Sequence, residues 1–389
     1  MATTPLDRLL EYNMHLLKHS GHPRHFADWR QDLVTAAVSA WFFGGLILDA
    51  WARATDRHEP FFTWWHLIFC TGYLAVAAWI VHLLVRAHRA DGRTGLAAVP
   101  HGYGPAVVGI PLFLFSALAD LVWHGLFGTE SALGVLFSPP HLGLAVSGVL
   151  IVAAPWLSAW RRDALGVEPE AAHESLRFLA PALSLGHVGS AVVLLLSYGI
   201  AFTWSPAEVV TGLSEPYGPV GAAVAAGLML TTLAVLGLVV IATGRFRLPP
   251  GCFTVAFLFP ALAAGANAGF ENLGFAVLFL ASGALADFLA WLVRPDLRRR
   301  KDLITFAAAW SIPTWLAYMI MASAAEGAWP SIAIVTGAPL AAALLGTVFM
   351  LVIQPDHREA PPVRPAEPSP FDDVIARAKA MTEGRGDQS

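Results

Sequence analysis

The chain has 389 residues, of which 56% are hydrophobic and only 13% are charged, and its mean hydropathy is +0.59. A soluble domain carries about 25% charged residues, so this composition excludes an ordinary soluble domain and predicts an all-α, multi-pass transmembrane helix bundle. The formal net charge of -4 is small, and no basic stretch is interleaved with aromatic residues. The sequence therefore does not predict nucleic-acid binding.

In chain order, residues 1–31 are polar to amphipathic and are predicted to include a short helix on the cytoplasmic membrane surface. Ten apolar segments follow, each long enough to cross about 30 Å of hydrocarbon. They run over 32–53, 61–85, 104–127, 139–160, 175–203, 218–243, 251–270, 273–294, 303–323 and 331–353. These segments predict a transmembrane domain over 32–353, and residues 354–389 are predicted to be a flexible cytoplasmic tail. The seventh and eighth segments are close enough to form one broken or re-entrant element instead.

Basic residues are concentrated in alternate loops. Arginines precede the first segment and follow the second, fourth, sixth and eighth segments, whereas most charges of the other loops are acidic, as at Glu208, Glu271 and Glu326. Because basic loops stay in the cytoplasm, both termini are expected to be cytoplasmic, in the inner or plasma membrane. This orientation agrees with an even number of spans. The expected surroundings are lipid, and partner subunits or a second copy of the chain remain open.

Five ionisable residues are predicted to lie at one depth, near the extracytoplasmic edge of the membrane. Asp49 ends the first segment, His66 begins the second, Asp120 and His124 end the third, and His141 begins the fourth. Each such group costs several kcal/mol in a membrane unless it is paired, hydrated or bound to a metal ion. Five of them at one level predict a functional site.

The same residues form a weak internal repeat. In each of the first two helix pairs, an aspartate precedes a glutamate by ten residues and a His-Leu pair stands further on. The residues are Asp49, Glu59 and His66 in the first pair and Asp120, Glu130 and His141 in the second. Two similar hairpins are therefore expected, although chance remains an alternative.

The residue types favour a metal site. Asp120 and His124 are four residues apart and so share one helix face, and His141 and His66 would complete the ligand set. Imidazole and carboxylate together suit zinc, copper or iron better than magnesium or calcium. Three protein ligands and a vacant position would make the site catalytic, and Glu130 or Asp49 would then transfer protons.

The run from Asp120 to His124, followed by His141, resembles a pattern in the membrane C subunit of the particulate methane and ammonia monooxygenases. In that subunit an Asp-x-x-x-His and a later His, from helices within the bilayer, bind copper. The resemblance covers about 20 residues. It implies copper at Asp120, His124 and His141, and an oxidase- or monooxygenase-like or metal-handling function.

Two alternatives remain open. The same residues could form the cation or proton path of a transporter, or a polar packing network in a structural membrane subunit. Beyond the proposed site, only His187 and Asp287 continue toward the inner face, which favours a localised site over a transport path. Arg294 is a possible partner for Asp287, and Cys70 is expected to be a buried structural thiol.

Overall fold

The computed structural model describes residues 20–55, 63–128, 133–167, 174–215, 218–244, 246, 248–296 and 299–353. In these ranges the regular structure is helical, and no strand occurs. The helices are α1 (Trp29–Ala54), α2 (Trp64–Asp91), α3 (Gly104–Phe127), α4 (Leu133–Phe137), α5 (Pro139–Val152), α6 (Ala154–Ala164), α7 (Glu174–Leu195), α8 (Pro206–Ser214), α9 (Pro219–Thr243), α10 (Cys252–Asn267), α11 (Leu273–Val293), α12 (Arg300–Glu326) and α13 (Ile332–Ile353). The predicted surface helix and the tail from residue 354 fall outside the described residues.

Eight of the described helices are long and apolar enough to cross a membrane, namely α1, α2, α3, α7, α9, α11, α12 and α13. Their outer faces expose large apolar side chains, for example Leu74, Phe115 and Leu344, each more than 60% accessible. Exposed apolar surface on this scale is unusual in a soluble monomer and matches contact with lipid. The all-helical prediction is confirmed, and the helices fit a multi-pass integral membrane protein.

The other two predicted spans are irregular, so the structure does not establish a count of ten. Helices α5 and α6 are bent by 48° at a break, where Pro155 follows the first residue of α6 and cannot supply a helical N–H. Helix α10 has 16 residues, which is about 24 Å of helix and shorter than the hydrocarbon core. Helices α10 and α11 pack against each other as two separate helices joined by a polar turn.

Two of the described helices were not expected, the short α4 between the third and fourth predicted segments and α8. The predicted segment 175–203 is helical only as far as Leu195, and the residues expected to form the next loop contain α8. Helix α8 begins with a capping box, in which the Ser205 hydroxyl accepts the Glu208 N–H at 3.2 Å and the Glu208 carboxylate accepts the Ser205 N–H at 2.8 Å. These mutual bonds satisfy two helix-end donors, so Glu208 is a capping residue as well as a loop acid.

Within the described ranges, the buried apolar residues form two clusters. The smaller cluster joins α1, α2, α3 and α5 around Phe42, Phe43 and Phe113. The larger cluster joins the helices from α7 onward around Trp310 and Trp315, both fully buried. Helices α7 and α10 connect the two halves, because α10 packs against α7 and both contact α1.

Helices α1 and α2 pack closely through two glycines. A Cβ atom at Gly45 would lie 2.6 Å from the Cα atom of Phe69, and a Cβ atom at Gly72 would lie 2.6 Å from the Cα atom of Phe42. Small residues allow two helix backbones to approach this closely. The resulting van der Waals packing stabilises the helix pair in lipid, where no hydrophobic driving force acts between helices. This contact holds the end of α1 against the start of α2.

Helices α3 and α5 pack in the same way. A Cβ atom at Gly109 would lie 2.9 Å from the carbonyl oxygen of Ser147, and one at Gly143 would collide with the hydroxyl of Ser116. The first four long apolar segments thus form two helix pairs of similar construction.

Candidate functional site

The first helix pair joins an aspartate to an arginine and a histidine. Asp49 is buried near the end of α1, and its Oδ2 atom accepts a hydrogen bond from Arg53 Nε at 2.9 Å and lies 2.8 Å from Arg53 Nη2 in an ion pair. The Nδ1 atom of His66 on α2 lies 3.2 Å from Asp49 Oδ1. Sequence reasoning missed Arg53 as a partner, although its spacing of four residues from Asp49 on one helix was a usable signal.

A hydroxyl residue positions His66. Thr63 caps the start of α2, where its Oγ1 atom accepts the backbone N–H of His66 at 3.3 Å and lies 3.4 Å from His66 Nδ1. Capping requires a side-chain acceptor at this place. The cap therefore sets the imidazole in the first turn of α2, facing the end of α1.

The second helix pair has an equivalent arrangement. Asp120 is buried near the end of α3, and its Oδ1 atom lies 3.0 Å from His141 Nδ1 and 3.5 Å from His124 Nδ1. His124 Nδ1 also lies 2.8 Å from the backbone oxygen of Asp120. Oδ1 of Asp120 is therefore flanked by two imidazoles, with that of His141 within hydrogen-bond distance.

A hydroxyl residue again precedes the histidine. Ser138 is the N-cap of α5, with Pro139 and Pro140 in the first turn, and its Oγ atom lies 3.0 Å from His141 Nδ1. In both helix pairs an aspartate therefore meets a side chain four residues later on its own helix. It also meets a histidine three residues after the next N-cap. The repeat suggested by the sequence has this structural counterpart.

The two arrangements lie close enough to affect each other electrostatically. The charges of Asp120 and His124 act on His66, and the charge of Arg53 acts on Asp120. The structure thus brings five of the predicted site residues together, at the C-terminal ends of α1 and α3 and the N-terminal ends of α2 and α5. We call this group the acid–imidazole cluster; it consists of Asp49, His66, Asp120, His124 and His141. Glu59 and Glu130 lie outside the described residues.

The described part of the chain contains no group of three or more His, Cys, Asp or Glu residues that could hold a metal ion. Copper binding by Asp120, His124, His141 and His66 therefore remains a prediction. The Asp120 carboxylate lies against the Nδ1 atoms of both imidazoles. A carboxylate in this position orients a metal-binding histidine and does not itself bind the metal ion. The two rings lie 6.0 Å apart, edge to face.

His187 and Cys70 lie outside the cluster. His187 is fully buried on α7, with ring-centroid distances of 5.8 Å to Phe43 and 4.4 Å to Phe259. Neither of its ring nitrogens has a hydrogen-bond partner among the described residues. The expectation of a buried Cys70 was wrong, because this thiol is exposed on the outer face of α2.

Asp287 has a structural role. Its carboxylate accepts the backbone N–H groups of Phe253 at 3.0 Å and Thr254 at 2.8 Å, and the Thr254 hydroxyl donates to it at 2.6 Å. These groups belong to the first turn of α10, where unpaired donors need acceptors. Asp287 thus caps a neighbouring helix, rather than making the expected approach to Arg294.

A second buried polar network occupies the opposite end of α1, and sequence reasoning missed it. Asp32 accepts hydrogen bonds from the Tyr103 hydroxyl at 2.7 Å and the Ser158 hydroxyl at 3.2 Å. Thr35 Oγ1 lies 2.9 Å from the Tyr103 hydroxyl and accepts from Trp79 Nε1 at 2.9 Å. Burial raises the pKa of Tyr103 well above its usual value, so the phenol remains protonated and donates to Asp32.

Comparison with known proteins adds no assignment, because no protein-family model, curated protein or solved structure matches this chain. The resemblance to the monooxygenase subunit therefore stays a prediction. Any function has to be inferred from the contacts of the acid–imidazole cluster and of the Asp32 network.

Proposed function

We propose that this chain is a multi-pass membrane protein that binds and releases protons at the acid–imidazole cluster and couples them to transport. The observation that carries the proposal is the repeated carboxylate–imidazole pair, 3.2 Å apart for Asp49 and His66 and 3.0 Å apart for Asp120 and His141. Groups at such distances can exchange a proton directly or through one water molecule. Ionisable residues at membrane depth commonly form proton relays.

The electrostatics of Asp120 favour this role over a purely structural one. Polar groups that only pack helices together need fixed hydrogen-bond partners, whereas Asp120 Oδ1 faces two imidazoles, a side chain that can bind and release a proton. The aspartate side chain remains 11% exposed and those of His124 and His141 are about one-fifth exposed. The pair is therefore held in place while water can still reach it.

We further propose that the cluster faces the extracytoplasmic side and that the Asp32 network faces the cytoplasm. The alternation of basic and acidic loops supports this orientation. Both sites lie on α1, and at 1.5 Å per residue about 26 Å of helix separates Asp32 from Asp49. A transporter needs polar groups toward both faces, and Asp32 supplies a second carboxylate that the sequence did not suggest.

Proton binding can be tested by nitrogen-15 NMR of ring-labelled histidines in nanodiscs between about pH 5 and pH 8. We expect the His141 resonance to titrate in the wild type and its pH dependence to change in Asp120→Asn. His82, which stacks on Trp79 outside the cluster, should titrate identically in both proteins. A His141 resonance that is insensitive to pH, or to the loss of Asp120, would contradict the proposal.

Coupling to transport needs a second measurement. The protein would be reconstituted in vesicles that contain a pH-sensitive dye, and a potassium diffusion potential would drive proton entry. We expect flux above that of empty vesicles, reduced at least about tenfold in Asp120→Asn and unchanged in Asp302→Asn, an acid in the first turn of α12 and outside the acid–imidazole cluster. Equal flux in wild type and Asp120→Asn would refute proton movement through the acid–imidazole cluster.

A metal centre is the second candidate function. It is supported by which ring nitrogens of His124 and His141 face Asp120. The described contacts of His124 and His141 with Asp120 use Nδ1, an arrangement in which Nε2 can bind a metal ion while a carboxylate orients the ring. Copper, favoured over zinc or iron, would then support an oxidase-like or metal-handling function, with Glu130 or Asp49 transferring protons.

Elemental analysis of protein purified with added copper, zinc or iron tests this candidate. We expect His124→Ala to lose the bound metal while His187→Ala, altered outside the cluster, retains it. A metal-free wild-type protein after supplementation would eliminate the metal centre and leave the proton-binding role intact.

A further inference from the structure

A cavity of about 290 Å³ lies at the opposite end of α1 from the acid–imidazole cluster. We call it the Arg162 cavity. Its polar lining comprises Asp28, Asp32, Arg162 and Arg177, and aromatic side chains, among them Phe26 and Phe178, form much of the remaining wall. Its volume is close to the lower limit of small-molecule sites, about 300 Å³, and is large enough for a phosphate or glycerophosphate group.

The two carboxylates of the cavity already have partners in the protein. Asp32 accepts hydrogen bonds from Tyr103 and Ser158. Asp28 is the N-cap of α1, where its Oδ1 atom accepts the backbone N–H of Gln31 at 2.8 Å. Both oxygens of Asp32 and one oxygen of Asp28 are therefore engaged within the fold.

The direct contacts described for the two guanidinium groups are with uncharged groups, and Arg162 also interacts with the charge of Asp32 at longer range. Arg162 donates to the backbone oxygen of Ala27 and lies 5.2 Å from the ring centroid of Phe26. Arg177 lies 5.3 Å from the ring centroid of Phe178. Among the described residues neither arginine forms an ion pair with a carboxylate. Five N–H donors per guanidinium leave unused donors in both.

We infer that the Arg162 cavity binds a phosphate-type anion, carried by an acidic phospholipid headgroup or present as free phosphate. Guanidinium groups bind phosphate through charge-assisted, often bidentate hydrogen bonds, and the aromatic wall lowers the local dielectric constant, which strengthens them. Helices α1 and α7, whose ends form part of the cavity, both qualify as membrane spans. The cavity thus lies where lipid headgroups are found. This binding is independent of proton exchange at the cluster.

Binding would be measured on delipidated, full-length protein in detergent. Native mass spectrometry would follow added phosphatidylglycerol or phosphatidylcholine, and thermal unfolding would compare inorganic phosphate with chloride at equal ionic strength. Arg177→Gln is the main variant, because Arg177 makes no described hydrogen bond whose loss would affect folding. Arg162→Gln is the second variant. Arg161→Gln is the matched control, since Arg161 is adjacent in sequence, exposed, and not part of the cavity lining.

We expect the wild type and Arg161→Gln to bind alike, and Arg177→Gln to bind at least about tenfold more weakly. Retention of phosphatidylglycerol but not phosphatidylcholine identifies the lipid headgroup as the source, whereas stabilisation by inorganic phosphate alone identifies free phosphate. If the wild type binds neither anion, or if Arg177→Gln binds as tightly as wild type, the inference is overturned.

Discussion

The Nδ1 atom of His141 lies 3.0 Å from the Oδ1 atom of Asp120, and this contact joins the start of α5 to the end of α3. The α1–α2 pair has the same arrangement with one difference. Four residues after its aspartate it carries Arg53, whereas the α3–α5 pair carries His124. Arginine stays charged at all accessible pH values, but histidine changes charge near neutrality. Asp49 therefore keeps one cationic partner at every accessible pH, whereas both ionisable side chains described in contact with Asp120 are imidazoles.

The close approach of α1 and α2 predicts a strong effect of one methyl group. Gly45→Ala would place Cβ 2.6 Å from the Phe69 backbone, which must shift and cost about 1–3 kcal/mol of unfolding free energy. Gly44→Ala is the matched control, because nothing lies within 4 Å of its Cβ position. Unfolding in mixed detergent measures both variants. Equal stability of the two would show that the helices are not packed as described.

The Asp32 network predicts a penalty for removing one hydroxyl. Tyr103→Phe deletes the donor to Asp32 and leaves a buried carboxylate oxygen with one partner fewer, at a cost of about 1–3 kcal/mol. Tyr198→Phe serves as the control, because Tyr198 is 43% exposed and should tolerate the change. Thermal unfolding in detergent compares the two. A Tyr103→Phe protein as stable as wild type would argue against a functioning Tyr103–Asp32 bond.

The segment before α1 should respond to pH. Burial, and to a lesser extent the positive charge of Arg93, lowers the pKa of His25 from its usual 6.5. The native segment favours the neutral imidazole, so the unfolded segment binds more protons below about pH 6.5. The packing of this segment is fully stable above about pH 6.5 and weakens as the pH falls below about 6.5. Hydrogen exchange over residues 20–28, corrected for intrinsic rates, measures this.

Two substitutions separate this effect from general acid instability. His25→Gln should remove the pH dependence of exchange over residues 20–28, whereas His22→Gln, at an exposed position, should preserve it. The same pH profile in both variants would assign the effect to another group.

The buried imidazole of His187 predicts an unusual result. His187→Leu removes two ring nitrogens that have no described hydrogen-bond partner, so stability should be unchanged or increase by about 1 kcal/mol. Ser184→Ala is the comparison, because Ser184 donates to the backbone oxygen of Val152 at 2.6 Å and should lose about 0.6 kcal/mol. Lower stability of His187→Leu in chemical unfolding would reveal a partner such as a buried water molecule.

The proposed orientation predicts opposite locations for two reporters. A reporter fused after Ser389 should be cytoplasmic, and one inserted near Glu208 should be extracytoplasmic, because basic loops remain in the cytoplasm. Enzymatic reporters active on only one side of the membrane measure this. Activity on the same side for both would mean that the orientation or the parity of the spans is wrong.

Helix positions follow largely from local sequence. The predicted segment 104–127 coincides with α3, because a long, mainly apolar run, a proline in the first turn and Gly128 after the end are all local signals. The members of the acid–imidazole cluster could also be named in advance, since alternating helix directions place distant residues at one depth. Their partners Arg53 and Ser138 were within reach of local spacing rules.

Tertiary structure alone decided the rest. The sequence gives no local reason for α10 to be a short buried helix packed on α7, or for Asp287 to cap it from α11. Asp32 lies at the edge of an apolar run, and its partners Tyr103 and Ser158 are 71 and 126 residues away. Hydropathy depends on neighbours in the chain, whereas a buried carboxylate is stabilised by whichever donors packing brings to it. Those donors come from other helices, so only the assembled bundle shows them.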